Sequence, residues 1–166
     1  MSQGADIDLH ARLLPGLTWR VSAGYTDAHY SQTVTMASGV ILARAGEPLP
    51  IPKVSGSTAL DFERALFASE HTAYVNLTYD YAGSYDRNPP TGVFGADPTT
   101  QYAIAVHSLS MRGGVRFGGM DFSLFADNVT NSSPELLRFH ETNASIVYRG
   151  RTLRPRTIGL TAIYGF

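Results

Sequence analysis

Apolar and polar residues alternate one by one along most of this chain, and that period of two is the strongest constraint on what it can form. Successive side chains of a β-strand point to opposite faces, so alternation describes strands with one apolar and one polar face. Ala5, Ile7, Leu9, Ala11 and Leu13 alternate with Asp6, Asp8, His10 and Arg12. Leu17, Trp19, Val21, Ala23 and Tyr25 alternate with Thr18, Arg20, Ser22, Gly24 and Thr26. Val54, Leu60 and Phe62 oppose Ser55, Ser57, Asp61 and Glu63; Ala73, Val75, Leu77, Tyr79 and Tyr81 oppose Thr72, Asn76, Thr78 and Asp80. Met120, Phe122, Leu124 and Ala126 oppose Asp121, Ser123 and Asp127. Ile158, Leu160, Ala162, Tyr164 and Phe166 close the series against Thr157, Gly159 and Thr161. The stretch from Tyr102 to Phe117 changes parity, since Tyr102, Ile104 and Val106 disagree with Leu109, Met111, Val115 and Phe117. One extra residue flips every facing beyond it, so a bulge is expected near His107-Ser108. The expectation is an all-β fold of seven strands, most of them longer than the about five or six residues usual in globular proteins.

The connections order those strands. Leu14-Pro15-Gly16, the stretch 65–70 and Gly118-Gly119 are short, whereas 31–52, 85–101 and 130–151 are long and rich in Pro, Gly and polar residues. Short and long alternate, so an up-and-down sheet would collect all the short turns at one end and all the long loops at the other. Transmembrane β-barrels have that asymmetry. The nine prolines fall in turns, loops or the first residues of strands, where no ladder hydrogen bond is lost.

Alternation alone does not say which face meets lipid, because a soluble barrel would show the same period with its apolar side inward. Three features favour the membrane arrangement. Tyr25, Tyr79 and Tyr81 gather near the long-loop end, and Phe62, Phe117, Tyr164 and Phe166 near the short-turn end, as rings at two bilayer interfaces do. The middles of the apolar faces carry no charge. The polar faces carry Asp6, Asp8, Arg12, Arg20, Asp80, Arg112, Arg116, Asp121 and Asp127, both signs mixed, as a wet lumen would. A mean hydropathy of −0.08 is no objection, because alternation averages to neutral. The formal net charge of −1 leaves no basic excess for nucleic acid, and the absence of cysteine excludes disulfides and thiolate metal sites. Met1-Ser2-Gln3-Gly4 has neither the charged nor the apolar region of a signal peptide, so an exported protein is expected to have its true N-terminus upstream.

Strand parity adds a constraint. Seven up-and-down strands leave the first and last running the same way, and bacterial single-chain barrels have even strand numbers. Free edges would leave backbone groups unpaired in lipid. Either an eighth strand lies upstream or the chain is a piece of a larger barrel.

At this point the chain resembles the β-barrel of TonB-dependent outer-membrane receptors. The resemblance runs from Gly4-Ala5-Asp6-Ile7-Asp8-Leu9 through Leu14-Pro15-Gly16-Leu17-Thr18, Gly24-Tyr25-Thr26-Asp27-Ala28, Gly46, Leu49 and Pro50-Ile51-Pro52. It continues in Leu124-Phe125-Ala126-Asp127-Asn128-Val129-Thr130, similar to the family's penultimate strand, and in Pro155-Arg156-Thr157-Ile158-Gly159-Leu160 with Tyr164-Gly165-Phe166, similar to its last. The resemblance implies that residues 1–166 are the C-terminal part of such a barrel in the bacterial outer membrane, without the plug and the preceding strands. It implies TonB-energised uptake of a scarce ligand such as a ferric siderophore, cobalamin or a carbohydrate. Implied partners are outer-membrane lipid, the small-molecule ligand, TonB through the plug region, and the barrel assembly machinery, for which Phe166 would be the C-terminal signal. With about a third of the strands of a 22-stranded plugged barrel, this chain would not transport alone.

Sites are sparse. The five histidines (His10, His29, His71, His107 and His140) have no pair at metal-ligand spacing, so no metal is expected. Nothing has the pattern of a nucleophile, a phosphate loop or a cofactor motif, and no catalytic residue or cofactor is assigned; the chain is not expected to be an enzyme. Ligand contacts are placed in the long loops, at Arg87, Arg138, His140 and Arg149, because guanidinium groups at an entrance suit an anionic ligand. Solvated loop charges or contacts to anionic headgroups would give the same pattern. Two other functions stay open: a small self-standing outer-membrane barrel with a structural or adhesive role, and a soluble barrel binding a small apolar ligand.

Overall fold

A computed structural model describes residues 1–66, 71–87, 97, 99–100, 102–140, 142 and 145–165. Seven long strands form one antiparallel meander: β1 (Ser2–Leu14), β2 (Leu17–Ala28), β5 (Val54–Leu66), β6 (His71–Ala82), β9 (Val106–Phe117), β10 (Met120–Asp127) and β13 (Thr157–Tyr164). Three short ribbons complete the described structure, one in each long connection. They are β3 (Val34–Thr35) with β4 (Ile41–Ala43), β7 (Tyr85–Asp86) with β8 (Tyr102–Ala103), and β11 (Leu137–His140) with β12 (Tyr148–Arg151). Nothing in the sequence reading foresaw the ribbons. They pair only locally, which satisfies backbone groups in loops too long to stay unpaired.

The register carries the alternation across the whole wall. Ala11, Trp19, Leu60, Leu77, Met111, Ala126 and Ile158 form one continuous row on the apolar face. Thr18, Asp61, Asn76, Arg112, Phe125 and Gly159 form the adjoining row on the polar face. Met120 pairs with Phe117 around Gly118 (φ 52°) and Gly119 (φ 77°). Two positive φ values are what a tight two-residue hairpin needs to match strand twist.

The bulge expected near His107-Ser108 is not there. Register with β6 runs unbroken from Ala82↔Val106 and Tyr81↔His107 to Thr72↔Arg116. The parity change falls earlier, at Ile104-Ala105, because Tyr102 and Ala103 belong to the ribbon with Tyr85 and Asp86 rather than to the wall. Val106 accordingly sits on the polar face beside Ala82. An irregularity does occur at the other end of the wall, between Arg12 and Leu14 of β1, where the strand turns into Pro15-Gly16.

Burial is inverted relative to a soluble sheet. On the apolar face Leu160 is 84% exposed, Leu124 54% and Met111 44%, whereas on the polar face Tyr74 is 6% exposed and Ser123 is buried. A soluble domain would cover its apolar side chains first. Here they form a broad uncovered band, with stacked His71–Phe117–Phe122 rings near the short-turn end and Tyr79, Tyr81 and His107 near the other. Among the described residues β1 and β13 do not pair with each other, and both are edges.

Candidate binding face and entrance loops

The polar face is a connected network at its short-turn half. Arg20 pairs with Asp61 at 2.6 Å, and Asn76 donates to the other oxygen of Asp61 at 2.6 Å. Arg116 bridges Glu63 (3.3 Å) and Asp121 (3.2 Å) while lying 4.3 Å above the Tyr74 ring, and the Tyr74 hydroxyl donates to Asp121 at 2.8 Å. Arg112 lies 5.2 Å above Phe125 and donates to Ser123 at 3.0 Å. These charges are compensated by neighbours on adjacent strands, so they stiffen the wall rather than wait for a reactant. Tyr74 and Phe125 are aromatics at polar-face parity. That exception to the alternation was the available sign of stacking on this face, and the sequence reading passed over it.

Toward the long-loop end the polar face carries Asp6, Asp8 and Asp80 among Ser22, Ser55, Ser57 and Gly24. The small side chains leave an open groove of about 450 Å³ lined by Asp8, His10, Arg20, Ser22, Ser57, Ala59 and Thr78. A second hollow of about 250 Å³ lies between the end of β2, the 48–53 segment and the β7–β8 ribbon, where Leu49, Ile51, Tyr85 and Tyr102 meet Thr26, Lys53 and Asp86. Lys53 is held by Asp27 at 2.7 Å. That contact raises the Lys53 pKa above its usual 10.5, chiefly through the hydrogen bond from the ammonium.

Of the four loop residues singled out from sequence, three come together. The Arg87 guanidinium donates to the carbonyl of Glu135, joining the loop after β6 to the loop after β10. Arg138 pairs with Glu135 at 3.6 Å and lies 3.9 Å above the Tyr148 ring. His140 touches the same ring at a centroid distance of 4.1 Å. Its Nδ1 lies 2.6 Å from the Ser145 carbonyl, and its Nε2 lies 3.3 Å from the Asp97 carboxylate and 3.1 Å from the Thr99 hydroxyl. The Thr99 hydroxyl and amide both donate to Asp97, and these bonds hold its carboxyl below the usual 3.8. The two long loops are thus tied at two points. Arg149 belongs to the opposite face of the ribbon, beside Phe139. Phe166 lies outside the described residues. Among the described residues no three metal-ligating side chains come together.

The fold is therefore an antiparallel up-and-down barrel segment, all-β, with one largely exposed apolar face and one better-buried charged face. It is similar to the ferric yersiniabactin uptake receptor FyuA from Yersinia pestis, with a TM-score of 0.74 and 13% sequence identity. The similarity covers 99% of this chain and 23% of that receptor, so the chain spans about a quarter of the neighbour's length. At that identity the likeness is one of fold. No family profile and no curated protein matches the sequence.

Proposed function

We propose that the chain is the C-terminal part of the barrel wall of an outer-membrane receptor, for TonB-energised uptake of a scarce ligand such as a ferric siderophore, cobalamin or a carbohydrate. One observation carries the reading: an inside-out wall whose two edge strands run in the same direction and stay unpaired among the described residues. Antiparallel closure of such a wall takes an odd number of further strands. A barrel of 22 strands would need 15 more, which is odd. The likeness of nearly the whole chain to a stretch of a siderophore uptake receptor supports the same reading.

In this reading the segment binds and guides but performs no chemistry, and it does not transport without the plug and the remaining strands. Arg87, Arg138 and His140 shape the entrance by tying two loops together, and Arg149 offers a further cation on the ribbon's other face. The charged inner wall faces the ligand path, and TonB acts through the plug region. Phe166 is read by the assembly machinery. The test is the intact mass of the native protein from the outer-membrane fraction of its source. A mass several times that of this chain supports the receptor. A mass near 18.0 kDa in that fraction favours a small self-standing barrel, and recovery only from the soluble fraction overturns the membrane reading.

A further inference from the structure

Five of the chain's 13 basic side chains, Arg138, Arg149, Arg151, Arg154 and Arg156, fall within the one connection between β10 and β13, and the structure sorts them onto different surfaces. Arg138 lies on the ribbon face that is tied to the neighbouring loop through Glu135 and Tyr148. The other face is set by the pairs Leu137↔Arg151 and Phe139↔Arg149, which place an apolar side chain beside a guanidinium twice over. All four of these side chains are exposed, as are Ile146 and Val147 at the ribbon's tip. Arg154 and Arg156 follow on the way down to Ile158, the first residue of the lipid-facing row on β13. Among the described residues neither Arg151 nor Arg154 has a carboxylate partner.

We propose that this exposed ribbon face, together with Arg154 and Arg156, is a docking surface for anionic lipid headgroups of the leaflet at the long-loop end of the wall. The proposal rests on the membrane-spanning reading of the sheet. Its position follows from that reading: Arg154 and Arg156 precede β13 on its long-loop side, where the wall passes into its loops. Charge complementarity selects the occupant. A guanidinium presents a planar fork of donors that matches a phosphate, and it sheds water more readily than an ammonium does. The interleaved Leu137 and Phe139 suit the boundary between headgroup and acyl chain, where a face of mixed cationic and apolar character binds best. A soluble protein partner would not need the cations to continue down to the start of the wall strand.

The experiment uses the native protein with all its strands, purified from the outer membrane of its source and placed in nanodiscs of phosphatidylcholine doped with phosphatidylglycerol, with native mass spectrometry of the lipid retained after a mild detergent wash. The expected result is retained phosphatidylglycerol enriched about threefold or more over its share of the disc, since basic side chains attract anionic headgroups only at close range. R151E/R154E should abolish the enrichment, R151K/R154K should keep part of it, and L137S/F139S should weaken it. Heat-modifiable migration on a gel shows that each variant is folded. No enrichment in the wild type, or equal enrichment in R151E/R154E, overturns the proposal. Enrichment that inorganic pyrophosphate removes completely at millimolar concentration assigns the surface to a free anion and also overturns it. A native protein that elutes apart from the discs refutes the membrane-spanning reading itself, a result distinct from a disc-bound protein without enrichment.

Discussion

Replacing Met111 by Arg is the sharpest test of which face meets lipid. Met111 is at the centre of β9, five residues from Val106 and six from Phe117. At about 3.4 Å per residue and a tilt near 45°, it stands roughly 12–14 Å in height from either strand end. Half of an apolar band about 25 Å tall is close to that, so Met111 is at the midplane. An arginine there should cost about 2–4 kcal/mol, a factor of roughly 30 to 700 in the folding equilibrium. With a urea dependence of about 2 kcal/mol per molar, the midpoint should fall by roughly 1–2 M. The assay is reversible urea unfolding of the native protein, with all its strands, in phosphatidylcholine bilayers, followed by tryptophan fluorescence. Ser110→Arg, one residue away on the polar face, is the control and should change stability by no more than about 0.5 kcal/mol. In a sheet whose apolar face met water, Met111, 44% exposed, would take an arginine without loss. Equal costs for the two variants, or a cost under about 0.5 kcal/mol for Met111→Arg, would refute the assignment of faces.

Three further outcomes are expected. Gly119→Ala forces a side chain onto a φ of 77° and brings its Cβ to 2.9 Å from the Gly165 carbonyl. It should cost about 1–2 kcal/mol or more, read as a lower folded fraction on an unheated gel. Gly159→Ala would place a Cβ 2.5 Å from the Phe125 ring, displacing the ring from beneath Arg112. Fluorine NMR of a labelled Phe125 should then shift, and an unchanged spectrum would show that the ring does not cover Gly159. The third concerns the tie between the loops. Asp97 titrates below 3.8 in the folded chain, so its contribution is complete above that value and is lost as pH falls through the lowered folded pKa. Proteolytic protection of the loops should therefore hold from neutral pH to about 4 and decline only below it. Asp97→Asn should loosen them at neutral pH, with faster amide exchange in β11 and β12 and no change in β6 or β9.

Much of the wall was legible in the sequence because its information is local. Each strand needs only its own alternation, and the strict exchange of short and long connections is enough to order seven strands into a meander with all long loops at one end. The aromatic ends of the strands and the uncharged middles of the apolar faces were legible for the same reason. The entrance was legible only in part. Arg87, Arg138 and His140 could be picked out as basic loop residues, but their partners Glu135, Asp97 and Thr99 are 41 to 48 residues away or have no distinguishing pattern.

What the sequence by itself determined is the period of two, and with it the number of wall strands and the two chemistries of the faces. Tertiary structure alone decided where the parity of 102–117 breaks, because pairing of Tyr102 with Asp86 competes with continuation of the wall and takes those residues out of it. It also decided that the polar face is the better buried of the two, and that Tyr74 and Phe125 lie under arginines on that face. The ribbons in the long loops, and the split of the loop arginines between a tied face and an exposed one, were likewise its decision. The physical reason is common to all of these. Alternation fixes the side of a strand on which a residue lies, but only the register between strands fixes which residue stands beside it.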